Sequence, residues 1–137
     1  MLFRSRWGAL VSIYLDEGEV GQALVALAQM EHILSTLLYD HGYRYKFATY
    51  ACQIQVANAA EEHYPDEALR LYKSNVERLI DAYKHENYQP ALEYLLRVKL
   101  LYQKQGREPE WNAYITDLRN KNKSLRALKE ELDKRGI

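Results

Sequence analysis

Apolar side chains recur three and four residues apart along most of this chain, and no other sequence feature constrains the fold as strongly. This spacing places the apolar residues on one face of an α-helix. The first example is Trp7, Leu10, Val11 and Tyr14. No segment alternates apolar and polar residues between hairpin turns, so the sequence predicts no β-strand. Only three prolines and six glycines interrupt the 137 residues. The pattern therefore predicts an all-α protein.

Glycine and proline divide this pattern into six predicted helices. Gly18, Gly42 and Gly106 end helices because glycine adopts the left-handed conformation at little cost. Pro65 and Pro109 suit the first turn of a helix, where no backbone donor is needed. The predicted helices cover residues 6–16, 20–39, 44–63, 65–83, 88–105 and 109–135. Short connections favour antiparallel helical hairpins, and the length suits a single domain, placed at residues 6–137.

Three predicted helix ends share a tyrosine placed four residues before a glycine or an asparagine. The pairs are Tyr14 with Gly18, Tyr83 with Asn87, and Tyr102 with Gly106. After two of them, an alanine three residues into the next helix offers a small surface opposite the ring. An aromatic ring, a left-handed cap and a facing small residue are typical of tetratricopeptide-like helical pairs. We therefore expect tetratricopeptide-like hairpins, although the spacing is irregular.

Residues 1–5 are set apart from the fold. Met1-Leu2-Phe3-Arg4-Ser5 matches the translation of a common sequencing-adapter end, so it is interpreted either as an assembly scar on a truncated gene or as a disordered N-terminus. Truncation would leave apolar residues of the first helix bare, namely Trp7, Leu10, Val11 and Tyr14. No apolar run approaches the roughly 18 residues that span a bilayer. We expect no membrane contact and a cytoplasmic location.

The residues that carry catalysis or bind metals are scattered. No two of the four histidines lie three or four residues apart, and Cys52 is the single cysteine. Cys52 lies on an alanine-rich helix face, where it is interpreted as a small packed side chain rather than a nucleophile. The sequence contains no glycine-rich phosphate loop and no nucleophile motif. We therefore predict a non-enzymatic chain with no catalytic, metal or cofactor-binding residues.

Tyrosine is the unusual component, with 12 residues. A cluster surrounds the junction of the second and third predicted helices: Tyr39, Tyr43, Tyr45 and Tyr50. Tyrosine buries a large ring while its hydroxyl group finds a polar partner at the edge. These rings either seal the grooves between helices or line a groove for a peptide or protein partner.

The charge is balanced but unevenly distributed. The chain has 19 basic and 19 acidic residues, yet residues 97–135 contain 11 basic and six acidic ones. The densest basic stretch is Arg119, Lys121, Lys123 and Arg126. Three acids follow it directly and no aromatic residues interleave it. It is interpreted either as a solvated helix face or as a set of weak phosphate contacts.

The second half of the chain contains four short segments with a shared helix-packing pattern: Tyr64-Pro65-Asp66-Glu67-Ala68-Leu69, Asn87-Tyr88-x-x-Ala91, Gly106-Arg107-Glu108-x-Glu110-Trp111 and Arg126-Ala127-Leu128-x-Glu130-Glu131-Leu132. With these segments it resembles the C-terminal helical region of bacterial SWIM-type zinc finger proteins. The family's C-x-C…C-x-H zinc pattern is absent, so no zinc ligand carries over. The resemblance implies a helical module of a larger intracellular protein, with zinc bound only in an upstream region.

These observations lead to one main functional expectation and one alternative. We expect a non-enzymatic helical scaffold or protein-interaction module, the C-terminal part of a larger SWIM-type zinc finger protein. Its partner would be another protein or the upstream part of its own chain. The alternative is an accessory nucleic-acid-binding segment that acts with an upstream zinc finger. Nucleic acid is then expected only as a partner of the full-length protein.

Overall fold

A computed structural model describes residues 6–36, 43–82 and 84–137. Within these ranges the chain forms seven α-helices: α1 (Arg6–Asp16), α2 (Val20–Thr36), α3 (Tyr43–Ala60), α4 (Pro65–Asp81), α5 (Tyr88–Lys104), α6 (Glu108–Lys121) and α7 (Arg126–Lys134). A single 3₁₀ turn, His85–Asn87, precedes α5. The same ranges contain no β-strand. The prediction of an all-α fold is therefore confirmed.

The chain forms two compact units, Met1–Leu71 and Tyr72–Ile137, called here the N-terminal unit and the C-terminal unit. The division lies within α4, which contributes residues to both. The expectation of one domain over residues 6–137 stays a prediction.

In the N-terminal unit, α1 packs against α2, α2 packs against α3, and α1 also contacts α3. A turn of three residues joins α1 to α2. Here Gly18 has a φ of 75°, and the Glu19 amide donates a 2.7 Å hydrogen bond to the Tyr14 carbonyl. The core is built of small and medium side chains: Val11, Ala23, Ala26, Leu27, Met30, Val56, Ala57 and Ala60. These alanines let the helices approach closely.

The tyrosine–glycine pattern at helix ends corresponds to a real backbone cap. At the end of α5, Gly106 has a φ of 67° and the Arg107 amide donates to the Tyr102 carbonyl at 2.8 Å, which repeats the arrangement at Tyr14 and Gly18. Asn87, where the sequence allowed either a left-handed cap or an N-cap, takes the N-cap position of α5. Asn87 has a φ of −83° because it ends the 3₁₀ turn and leads directly into α5.

In the C-terminal unit, α5 packs against both α6 and α7. The buried side chains of this unit follow the predicted helical spacing. They come from α4, α5, α6 and α7: Tyr72, Val76, Ile80, Leu92, Leu95, Val98, Trp111, Ile115, Leu118, Leu128 and Leu132. The rings of Tyr72 and Tyr94 stack with centroids 6.0 Å apart. Large aliphatic and aromatic groups thus fill this core, unlike the alanine-rich core of the N-terminal unit.

The single long helix predicted for residues 109–135 is wrong, since the structure divides it into α6 and α7. The Asn122 side chain donates a 2.9 Å hydrogen bond to the Leu118 carbonyl, and the Leu125 amide donates to the Asn122 carbonyl. Asparagine competes in this way for helix backbone groups and favours a turn. The apolar spacing continues across the break, because Leu128 and Leu132 still reach the core.

The bare apolar surface expected on α1 is not found at the four named residues. Val11 is fully buried, and Trp7, Leu10 and Tyr14 are half-buried. Ile13 is the large apolar side chain of α1 that is exposed. The expectation that these four side chains are bare is therefore wrong.

Candidate interaction surfaces

An open groove lies in the N-terminal unit between the start of α2 and the turn that leads from α3 into α4. It has a volume of about 400 Å³ and is lined by Gly18, Glu19, Val20, Gly21, Gln22, Val25, His63 and Tyr64. We call it the Tyr64 groove. Tyr64 is the residue before α4, and its carbonyl accepts the Ala68 amide at 3.0 Å. The helix therefore fixes the backbone from which the Tyr64 ring extends.

Glycine at position 21 allows the Tyr64 ring to approach α2. A β-carbon at Gly21 would stand 2.9 Å from the Tyr64 hydroxyl oxygen, closer than such atoms approach in proteins. Any larger residue at this position would push the phenol away. Gly21, in the first turn of α2, therefore leaves room for the Tyr64 hydroxyl group in its present position.

Large apolar side chains at the Tyr64 groove are exposed to solvent. Val25 is 60% exposed and Tyr64 is 42% exposed. Among the described residues, five large apolar side chains are this exposed, and four of them belong to the N-terminal unit: Ile13, Val25, Phe47 and Tyr64. Single exposed apolar residues are ordinary, whereas two on the wall of one groove suggest a contact surface.

One carboxylate, Glu19, lines the same groove, and three more exposed acids lie close to lining residues in the sequence. Asp16, Glu17 and Glu19 come from the turn between α1 and α2, and Glu62 from the turn between α3 and α4, and all four are exposed. The N-terminal unit has nine acidic and five basic residues in its sequence. One of its basic residues, Arg70, forms ion pairs with Glu31 at 3.4 Å and Glu67 at 3.2 Å. The segments that line the groove are therefore rich in acidic residues.

The structure describes the side chains of only two of the four tyrosines in the predicted cluster. Tyr39 lies outside the described residues, and Tyr43 begins α3 with a side chain that is also outside them. Tyr45 and Tyr50 are half-buried on α3. The tyrosine that does line a groove, Tyr64, was missed as a candidate. Its position before Pro65 at a helix start was the available signal.

The predicted basic stretch is divided between structural contacts and exposed side chains. Arg119 donates hydrogen bonds to Asp133 at 3.0 Å and to the Ile137 carbonyl at 2.7 Å, so it ties α6 to the end of α7. Lys121 pairs with Asp117 at 3.2 Å. Lys123 and Arg126 are exposed, and Lys123 lines a cavity of about 270 Å³ beside α7.

Sequence reasoning missed a cation–aromatic cluster in the C-terminal unit. The Lys73 ammonium group lies 4.8 Å from the ring centroids of both Tyr102 and Tyr114, and it donates a hydrogen bond to the Tyr102 hydroxyl. The Tyr114 hydroxyl donates to Glu77 at 3.1 Å. Burial, and next the Glu77 carboxylate, raise the pKa of Tyr114 well above its ordinary value. The cluster links α4, α5 and α6.

Cys52 and the metal-binding residue types show no reactive arrangement. Cys52 is half-buried, and desolvation raises the pKa of its thiol, which lowers the thiolate fraction at neutral pH. In residues 6–36, 43–82 and 84–137, no three side chains of histidine, cysteine, aspartate or glutamate are grouped to hold a metal ion. Over the same ranges, no helix is both long and apolar enough to cross a bilayer.

The fold and surfaces together define an all-helical protein whose helices pack in hairpins. No protein-family model and no solved structure matches the chain. The chain is similar to an uncharacterized protein, YwqB of Bacillus subtilis (strain 168), with 36% identity over 70 residues. This stretch is 51% of the chain and 13% of YwqB. About half of the chain therefore matches a small part of that relative.

Proposed function

We propose that this chain is a non-enzymatic, tetratricopeptide-like protein-interaction module that binds its partner at the Tyr64 groove. The observation that carries the proposal is the pair of exposed apolar side chains, Val25 and Tyr64, on the wall of an open groove. Burying such groups against a partner removes apolar surface from water, which is the main driving force of protein association. Exposed aromatic residues also serve often as interface anchors.

The same proposal includes the larger protein to which this module would belong. Similarity to a short stretch of the much longer YwqB supports a role as one segment of a larger protein. We propose that this larger protein is of the SWIM-type zinc finger class and acts in the cytoplasm. Zinc would then be bound outside this chain.

A peptide-display selection on the purified chain tests the proposal. We expect peptides to be enriched on the native chain and to lose binding when Val25→Ser and Tyr64→Ala are combined. The control is Ile13→Ser, which removes an equally exposed apolar side chain of α1 that is not among the groove residues. Enriched peptides that bind the double variant as well as the native chain would contradict the proposal, as would a selection that enriches none.

Accessory nucleic-acid binding remains a second candidate function, favoured by the exposed side chains of Lys123, Arg126 and Lys129 around the α6–α7 turn. The internal ion pairs of Arg119 and Lys121 weaken this candidate, because they already compensate two of the four predicted cations. A salt titration separates the two functions, since phosphate contacts lose affinity steeply as salt rises. A micromolar, salt-steep complex with duplex DNA that Lys123→Glu abolishes would favour this second function.

A further inference from the structure

We infer that the Tyr64 groove recognises a basic peptide segment that carries aliphatic side chains. The inference rests on the proposed function and adds the chemical class of the partner. Two properties of the groove carry it: apolar side chains that are open to solvent, and lining segments that contain several acids but no lysine or arginine.

The apolar wall provides space for side chains of the partner. Val20, Val25 and the Tyr64 ring line the groove, and its volume of about 400 Å³ lies in the range of about 300–1,000 Å³ typical of ligand pockets. Gly18 and Gly21 add no side-chain bulk, and the polar side chains of Glu19, Gln22 and His63 complete the lining. An aliphatic side chain of a peptide could therefore contact both the tyrosine ring and the valines.

The charge around the groove selects a basic partner. Both of its walls come from stretches without any lysine or arginine, residues 7–36 and 47–69. The exposed acids Asp16, Glu17, Glu19 and Glu62 flank the lining residues in sequence. Each exposed pair with a lysine contributes little by itself, but several charges of one sign steer a basic segment and repel an acidic one.

A metal ion does not account for these acids in the described structure, since no three metal-binding side chains are grouped there. A charged peptide needs no such convergence, because its lysines are spread along an extended backbone. This difference favours a peptide of distributed positive charge over a compact cation.

The test uses three fluorescently labelled peptides and polarisation measurements on the full chain. The first alternates two leucines with lysines, the second replaces each lysine with glutamate, and the third replaces each leucine with serine. We expect the first peptide to bind at least about tenfold more tightly than either of the others at about 50 mM salt. We expect most of the advantage over the glutamate peptide to disappear at about 500 mM salt, where the Debye length is short.

Matched variants locate the binding to the Tyr64 groove. Val25→Ser and the pair Glu19→Gln with Glu62→Gln should each weaken the first peptide about fivefold or more, with unchanged helical content by circular dichroism. Ile13→Ser and Glu108→Gln, an exposed acid of α6, should leave its affinity within about twofold of the native value.

Two results would overturn the inference. One is equal binding of the lysine and glutamate peptides. The other is self-association of the native chain in sedimentation that Val25→Ser abolishes, which would indicate a second copy of the chain in the groove. The failure of the proposed function is a different result. If display selection yields groove-dependent peptides that are not basic, the interaction function stands and the basic-partner inference fails. If no groove-dependent peptide is found, both fail.

Discussion

Trp111 offers the sharpest test of how the C-terminal unit is held together. It lies in the first turn of α6, is only 6% exposed, and contacts the Tyr114 ring with centroids 6.5 Å apart. An aromatic side chain buries about 200 Å², and at about 25 cal/mol per Å² this corresponds to at most about 5 kcal/mol. Truncations of buried tryptophan cost about 3–5 kcal/mol. We therefore expect Trp111→Ala to lower the free energy of unfolding by about 3 kcal/mol or more.

The assay is urea unfolding followed by far-UV circular dichroism, with thermal unfolding as a second measurement. At this chain length the expected loss lowers the midpoint temperature by about 10 °C or more. The matched control is Thr116→Ala, an exposed residue of the same helix, which should change stability by less than about 0.5 kcal/mol. A Trp111→Ala effect as small as that of the control would refute the claim that this ring fastens α6 to its neighbours.

Three further predictions concern single residues, and a fourth concerns the affinity for DNA. Gly18→Ala should cost about 1 kcal/mol in chemical unfolding, since Gly18 has a φ of 75° but no neighbouring atoms within 4 Å of an added β-carbon. Folding raises the pKa of Tyr114, so the unfolded phenol ionises first, above about pH 10. The free energy of unfolding should therefore decline above that pH by up to about 1.4 kcal/mol per pH unit. Tyr114→Phe should remove this contribution to the pH dependence. At pH about 8, Cys52 should react with a disulfide reagent about tenfold more slowly in the native chain than in denaturant. Duplex DNA should bind no more tightly than about 10⁻⁴ M at physiological salt, measured by polarisation.

Local signals predicted most of the helices but not the break after α6. The helical spacing and Gly18 predicted the bounds of α1 correctly, and Pro65 marked the start of α4. Leu118 and Leu125 lie seven residues apart and so keep one helical register, although residues 119–124 between them are all polar. The register alone therefore did not mark the turn. The turn comes from an Asn122 side chain that hydrogen-bonds to the backbone, and asparagine within a polar stretch is compatible with either a helix or a turn.

The candidate surfaces were harder to predict because they depend on which elements meet in space. The Tyr64 groove joins residues 18–25 with residues 63–64, which are about forty positions apart in the chain. No periodic pattern connects them, and Gly21 within α2 was the one local anomaly. The ion pair of Arg119 could not be predicted for a related reason. Asp133 lies fourteen residues from Arg119, and only the turn between α6 and α7 brings the two together.

The most direct test of the central claim is a nuclear magnetic resonance titration of the isotope-labelled chain with the lysine–leucine peptide. We expect the backbone amide chemical shifts to change most at Gly18, Gly21 and Tyr64. These changes should disappear in the Val25→Ser variant. Shift changes concentrated around Lys123 and Lys129, or no changes at any peptide concentration, would contradict the assignment of the Tyr64 groove as the binding surface.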